Sequence, residues 1–279
     1  MIGAAICLPA LATIPMVGDA MSAASVPAPP GYTRLIFDDA FTGSTLNGAH
    51  WNSYITSRGA NGAPWHSNGR GGSGEGRTYD AGYYQPNDVS VSNGLTITAH
   101  RHSGQRGFTW AGGVISTYGH FEFTGGYVQI RAQMPTGSGM WSGLWMLPGP
   151  AGTSGDDNEI DIFESGETGN WVSPYENYAW HLEGPWGKFG SVTSMGPSML
   201  SGYHTYGLAW QPGQSITWYF DGSVVGQLTS AQTPIPNEPM ELIVSQGIAN
   251  HHASSWHASV GPRTRSPESM QVAEVQVWQ

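Results

Sequence analysis

The sequence predicts an all-β protein, an antiparallel sandwich or jelly roll, and three observations carry that expectation. Glycine (40) and proline (19) together make up about a fifth of the 279 residues, against roughly 12% in an average protein. Only 11% of residues are charged and Lys188 is the single lysine, so long solvated helices laced by ion pairs have nothing to be built from. Short strand-like runs bounded by Gly, Pro, Asn or Ser recur along the chain, as expected of two packed antiparallel sheets.

The first 24 residues stand apart. Ile2 to Val17 is almost wholly apolar, and small residues follow at Ser22 and Ala24, so residues 1–24 read as a signal peptide, with a buried N-terminal strand as the alternative. Pro9 and Pro15 interrupt the run, which argues against a membrane span of ~20 continuous apolar residues. The only cysteine, Cys7, lies inside it, so the processed chain is expected to have neither a disulfide nor thiol catalysis. Residues 25–30 read as a Pro/Ala linker, and 31–279 as one β domain in a secreted or periplasmic protein.

Within that domain, Val89 to Ala99 reads as a hairpin turning at Asn93-Gly94. Gly126 to Met134, Gly207 to Trp210 with Ile216 to Phe220 around Pro212-Gly213, Met240 to Ser245 and Val272 to Trp278 are further strands. Twenty acidic residues against 10 basic ones give a net charge of −10, which repels phosphate backbones and anionic bilayers. Neither nucleic acid nor a membrane is an expected partner. The 12 tryptophans and 12 tyrosines exceed the usual needs of a core this size, so some are expected along a surface groove.

The most informative stretch is Glu159-Ile160-Asp161-Ile162-Phe163-Glu164. In a strand Glu159 and Asp161 point to one face. Glu164 falls at an odd offset and joins them only if a β-bulge at Ile162-Phe163 absorbs one residue, a device common beside active sites. Aligned like charges destabilise a sheet and need a reason; solvated acids on an outer face are the bland alternative. Glycoside cleavage supplies the reason, because it pairs an ionised carboxylate with a protonated carboxyl.

This segment resembles the E-x-D-x-x-E motif of glycoside hydrolase family 16, the laminarinase and lichenase family. Gly126-Tyr127 through Arg131 to Met134-Pro135 and Gly139-Met140-Trp141-Ser142-Gly143-Leu144-Trp145 look like that family's strand and tryptophan-bearing loop before the motif. His204-Thr205-Tyr206-Gly207, Trp210 and Trp218-Tyr219-Phe220-Asp221-Gly222 extend the match. The resemblance implies a concanavalin-like jelly roll with a glycan cleft on its concave face. It implies Glu159 as nucleophile, Asp161 as its assistant and Glu164 as acid/base. The expected activity is endo-acting, retaining hydrolysis of β-1,3 or mixed β-1,3/1,4 glucan. Another bacterial exopolysaccharide or galactan is the alternative substrate, and a non-catalytic carbohydrate-binding protein is the alternative class.

Trp141, Trp145 and Trp180 are candidates for stacking on sugar rings, with core packing as the competing role, and His181 is a candidate contact to the +1 sugar. The partner is a polysaccharide, and a monomer is expected. No cofactor or metal is expected: Ala40 and Ala273 stand where the resemblance leads one to expect acids, which tells against the calcium some members hold. Gln129 likewise replaces a glutamate. His100, His102, His251, His252 and His257 read as polar loop histidines, and Gly69 to Gly74 has dinucleotide-loop spacing without the strand and helix such a loop needs. The stretch from Arg58 to Tyr79 reads as a substrate subsite.

Overall fold

The computed structural model describes residues 26–55, 79–102, 108–152, 158–168 and 174–279. The leader with Cys7, the glycine-rich motif at 69–74 and all but Tyr79 of the expected subsite segment lie outside the described residues.

Among the described residues, fifteen strands form one sheet. They are β1 (Leu35–Asp39), β2 (Gly82–Tyr84), β3 (Val89–Val91), β4 (Leu95–Arg101), β5 (Trp110–Ser116), β6 (Gly126–Gln133), β7 (Met140–Pro148) and β8 (Glu159–Glu164). They continue with β9 (Asn177–Gly184), β10 (Gly187–Ser194), β11 (His204–Gln211), β12 (Ser215–Phe220), β13 (Ser223–Thr229), β14 (Met240–Ile248) and β15 (Glu268–Trp278). Helical structure among the described residues is limited to 3-10 turns of three or four residues. The order is β10-β9-β8-β7-β14-β5-β4-β15-β6-β11-β12-β13, with β1, β2 and β3 added on β15, β5 and β4. All pairings are antiparallel except β2 with β5.

The sheet doubles over, so that β8 and β9 lie against β11 and β12. Phe163 and Tyr206 rings sit 4.6 Å apart across this interface and Trp180 and Trp218 rings 4.4 Å apart. Leu144, Met146, Ile160, Ile162, Phe163, Tyr178 and Leu182 from one layer meet Val128, Ile130, Leu208, Ile216, Trp218 and Val275 from the other, all at most 1% exposed. Burying each such side chain stabilises the fold by about 1.5–3 kcal/mol before entropy is counted.

The structure adjusts two details of the expected strand pattern. Register Val91↔Leu95 leaves Ser92, Asn93 and Gly94 in a three-residue turn, with positive φ at Asn93 and Gly94. Backbone amides of Asn93 and Gly94 donate to the carbonyls of Gly43 and Phe41, so the extra residue is held by the chain's start. Gly139 to Trp145, expected to carry the tryptophan-bearing loop, falls almost wholly within a nine-residue strand, Met140–Pro148, beside β8 and β14, because Leu144 and Met146 alternate into the core.

Candidate active site

Strand alternation turns Ile160 into the core and leaves Glu159 and Asp161 on the opposite face of β8. Asp161 then pairs with Trp145 on β7 and His181 on β9, whereas Glu164 pairs with Gly143 and Ala179. Three steps along β8 therefore match two on each neighbour. This is the expected bulge, with Ile162 and Phe163 both in the core and Glu164 brought round to the face of Glu159 and Asp161. A bulge costs ladder hydrogen bonds, and freed carbonyls need donors. Here the indole Nε1 of Trp218 donates to the Asp161 carbonyl and the Tyr178 hydroxyl to the Ile162 carbonyl, each at 2.7 Å.

On the acid face a buried histidine ties the carboxyls together. His181 Nε2 lies 2.6 Å from Asp161 Oδ2, 3.5 Å from Glu164 Oε2 and 3.4 Å from Glu183 Oε1. Glu183 and Glu167 in turn receive Lys188 Nζ at 2.9 and 3.3 Å. The chain's single lysine therefore stands at the edge of this acid cluster. Polar atoms of Glu159, Asp161 and His181 lie within 4.8 Å of one another, as do those of Glu164, Glu167 and His181. Such spacing could admit a small cation; Lys188 supplies a positive partner at its edge and His181 a ring nitrogen within it.

Burial is the largest influence on all three acids. It pushes Glu159 well above the ordinary carboxylate range, with the neighbouring Asp161 and Glu183 charges adding to the rise. Asp161 is pushed up by burial and drawn back by Lys188. Glu164 is pushed up by burial and drawn back by His181. Glu159 alone of the three keeps partial exposure. Beyond β14, burial raises the Asp80 carboxyl to about 8, and the neighbouring Tyr84 hydroxyl hydrogen-bonds Ser245.

The aromatic candidates separate. Trp141 lies half-buried beside the acids, and its Nε1 donates to Glu164 Oε1. Trp145 is half-buried on the same face, with Nε1 donating to Ser245 Oγ at 3.2 Å. Trp180 corrects the expectation: it points into the core against Trp218, and Gly226 makes room, since a Cβ there would sit 2.2 Å from the Trp180 ring. The alternation that turns His181 to the acids turns its neighbour Trp180 away. His181, expected as a sugar contact, is instead 3% exposed beneath the acids. His257, expected in a polar loop, is fully buried, while His100 pairs with Asp88 at 2.9 Å. Glu167, Glu183, Tyr84, Ser245 and Trp256, whose ring lies 5.2 Å from that of Trp141, carry no signal in the sequence that singles them out, and Lys188 stands out only by being alone.

A two-layer antiparallel sandwich with a bulged row of carboxyls on an outer face supplies the groups that glycoside cleavage needs. The chain belongs to glycosyl hydrolases family 16, whose family model matches residues 76–265. It is 33% identical over 193 residues to the endo-1,3-1,4-beta-glycanase ExsH of Rhizobium meliloti (strain 1021), covering 63% of this chain and 38% of that protein. It is 28% identical over 275 residues to glucan endo-1,3-beta-glucosidase A1 of Niallia circulans, covering 88% of this chain and 38% of that protein. This chain thus spans little more than a third of either relative. The laminarinase catalytic domain of Thermotoga maritima MSB8 superposes with a TM-score of 0.69 at 21% identity, covering 88% of this chain and 98% of that one, which establishes the jelly-roll fold.

Proposed function

We propose that the protein is an endo-acting, retaining hydrolase of β-1,3 or mixed β-1,3/1,4 glucan. The observation that carries the reading is the bulge, which gathers one partly exposed carboxyl, Glu159, and two buried ones, Asp161 and Glu164, on a single face. In the first step Glu159 attacks the anomeric carbon as the glycosidic C–O bond breaks, and the Glu164 carboxyl gives its proton to the leaving oxygen. In the second, water attacks the same carbon, Glu164 takes a proton from it, and the bond to Glu159 breaks. Asp161 shares a hydrogen bond with Glu159 and so holds the attacking carboxyl in place. Trp141 orients Glu164 through its indole N–H, and the exposed parts of Trp141 and Trp145 offer ring surface to the sugars.

The names of the relatives, an endo-1,3-1,4-beta-glycanase and a glucan endo-1,3-beta-glucosidase, support this linkage class. A purely binding protein would have no use for carboxyls held at different protonation states. A polymeric substrate also fits the secreted or periplasmic location we propose with it. Proton NMR of the first-released anomer on laminarin and mixed-linkage glucan tests the reading, with a galactan and bacterial exopolysaccharides alongside. The β-anomer should appear first on a glucan. Release of the α-anomer first would overturn retention, and binding without release from any polymer would favour the non-catalytic class.

A further inference from the structure

Behind the acid row, the chain following β14 packs on the chain following β8. Thr168 N donates to the Trp256 carbonyl at 2.9 Å and Ala258 N to the Gly166 carbonyl at 2.8 Å. His257 is fully buried between these contacts. Both of its ring nitrogens face backbone carbonyl oxygens: Nε2 is 2.7 Å from Ser165 O and Nδ1 is 2.6 Å from Ala258 O. A neutral imidazole carries one N–H and one lone pair, so one of these two contacts would set lone pair against lone pair. Only the doubly protonated ring donates to both. The distances are also short, in the range of charge-assisted N–H bonds or below it.

The ring is seated with some care. Gly166 has φ +85°, and a Cβ there would lie 2.4 Å from His257 Cε1, so this position needs glycine for both its backbone and its neighbour. The Trp141 ring lies 4.9 Å from the imidazole, a distance at which an aromatic ring attracts a cation. Trp141 is the residue whose indole donates to Glu164, and Ser165, whose carbonyl His257 holds, directly follows Glu164. Two routes therefore run from His257 to one carboxyl.

We propose that His257 is a buried imidazolium that acts as a positioning residue for Glu164, through the Ser165 carbonyl and through Trp141. This rests on the reading of Glu164 as the acid/base. The charged groups that bear on the ring are Glu167, which favours the protonated form, and Lys188, which opposes it. Burial also opposes protonation, is the largest influence and on balance pulls the His257 pKa down, while the Ala258 and Ser165 carbonyls favour protonation. The two short carbonyl contacts argue for the charged form against that pull, because the neutral ring must leave one of two buried carbonyls facing a lone pair.

Nitrogen-15 NMR of the histidine-labelled full chain, with His257 identified by its proximity to Trp141, reads the protonation directly. Both ring nitrogens should carry protons at the pH of maximal activity; one unprotonated nitrogen there would overturn the proposal. Coupling to Glu164 is read by carbon-13 titration of that carboxyl, since losing a nearby positive charge must raise its pKa in His257→Gln. The variant should lower kcat about tenfold with KM changed less than about twofold, a modest displacement beside the 10²-fold possible for misplaced groups, and should move the alkaline limb of the rate profile to higher pH. An unmoved Glu164 titration would reduce His257 to a structural residue. If no polymer is turned over, the glucanase reading fails while the two titrations still decide the charge and coupling of His257.

Discussion

The two faces of β8 obey opposite rules. On the face toward β11 and β12, Ile160, Ile162 and Phe163 are packed to at most 1% exposure, and aromatic donors from β9 and β12 hold the backbone. On the other face, Glu159, Asp161 and Glu164 crowd like charges that a stable sheet would disperse. The first face creates the second: Trp218 and Tyr178 satisfy the carbonyls that the bulge releases, and the bulge places Glu164 beside its fellow acids. The arrangement of the acids on the outside is therefore maintained by hydrogen bonds made in the core.

The strongest way to break this comparison is from the acid face. Glu159→Gln should remove several orders of magnitude of turnover while changing the melting temperature and glycan binding little, because it deletes the proposed nucleophile without altering volume. Calorimetry and kinetics on the same preparation check it, and near-native kcat would remove Glu159 from the mechanism. An attack from the core should do two things at once. Trp218→Phe leaves the Asp161 carbonyl without its indole donor, which costs about 1–3 kcal/mol and lowers the melting midpoint by about 2–4 °C for each kcal/mol. It should also lower kcat on the fully folded protein, measured well below the midpoint, whereas a lower midpoint with unchanged kcat would uncouple the two faces.

A smaller effect lies in pH. Glu159, Asp161 and Glu164 are all raised by burial, and Asp80 is raised to about 8. Between the ordinary carboxylate pKa of about 4 and these folded-state values, the folded chain holds protons that the unfolded chain has released. Stability from these groups is thus fully present below about pH 4 and is lost as pH rises toward about 8. Melting midpoints from pH 5 to 8.5 should fall less steeply for Glu164→Gln than for the parent, so the variant gains relative stability at the alkaline end. A steeper fall in the variant would contradict the raised carboxyl. Turnover should decline over the same alkaline range as Glu164 loses its proton, which places the optimum above the mildly acidic range expected from unperturbed carboxyls.

Least should happen in the other layer, where β1 meets β15. Asp39 there already accepts from Phe41 N at 2.8 Å and Trp51 Nε1 at 2.9 Å and lies 3.0 Å from His50 Nδ1, and Ala40 and Ala273 offer no side-chain oxygen. Millimolar calcium should move the melting midpoint by no more than about a degree relative to chelator, since a bound ion stabilises by RT ln(1 + [L]/Kd). A rise of many degrees would reveal a calcium site built without those two acids.

Much of the acid face was legible because strand alternation is local. Glu159 and Asp161 share a side by the period of two, and the odd offset of Glu164 demanded a bulge, which both neighbouring ladders contain. Trp180 was not legible, since the same alternation serves a core ring and a cleft ring equally until a partner is known, and that partner is Trp218 with Gly226 opposite. His181 shows the reverse: its place beside the acidic strand was foreseen, its burial under three carboxyls was not.

By itself the sequence determined the strand-rich class, the segment that carries the acids and the need for one extra residue within it, because each follows from composition or from neighbours a few bonds apart. Tertiary structure decided which aromatic rings serve the site and which hold the core, and how the acids are charged. The contacts responsible join residues far apart in the chain, 57 positions for Trp218 with Asp161 and 92 for His257 with Ser165. Their effect on the carboxyls comes from burial, which exists only once the layers have closed.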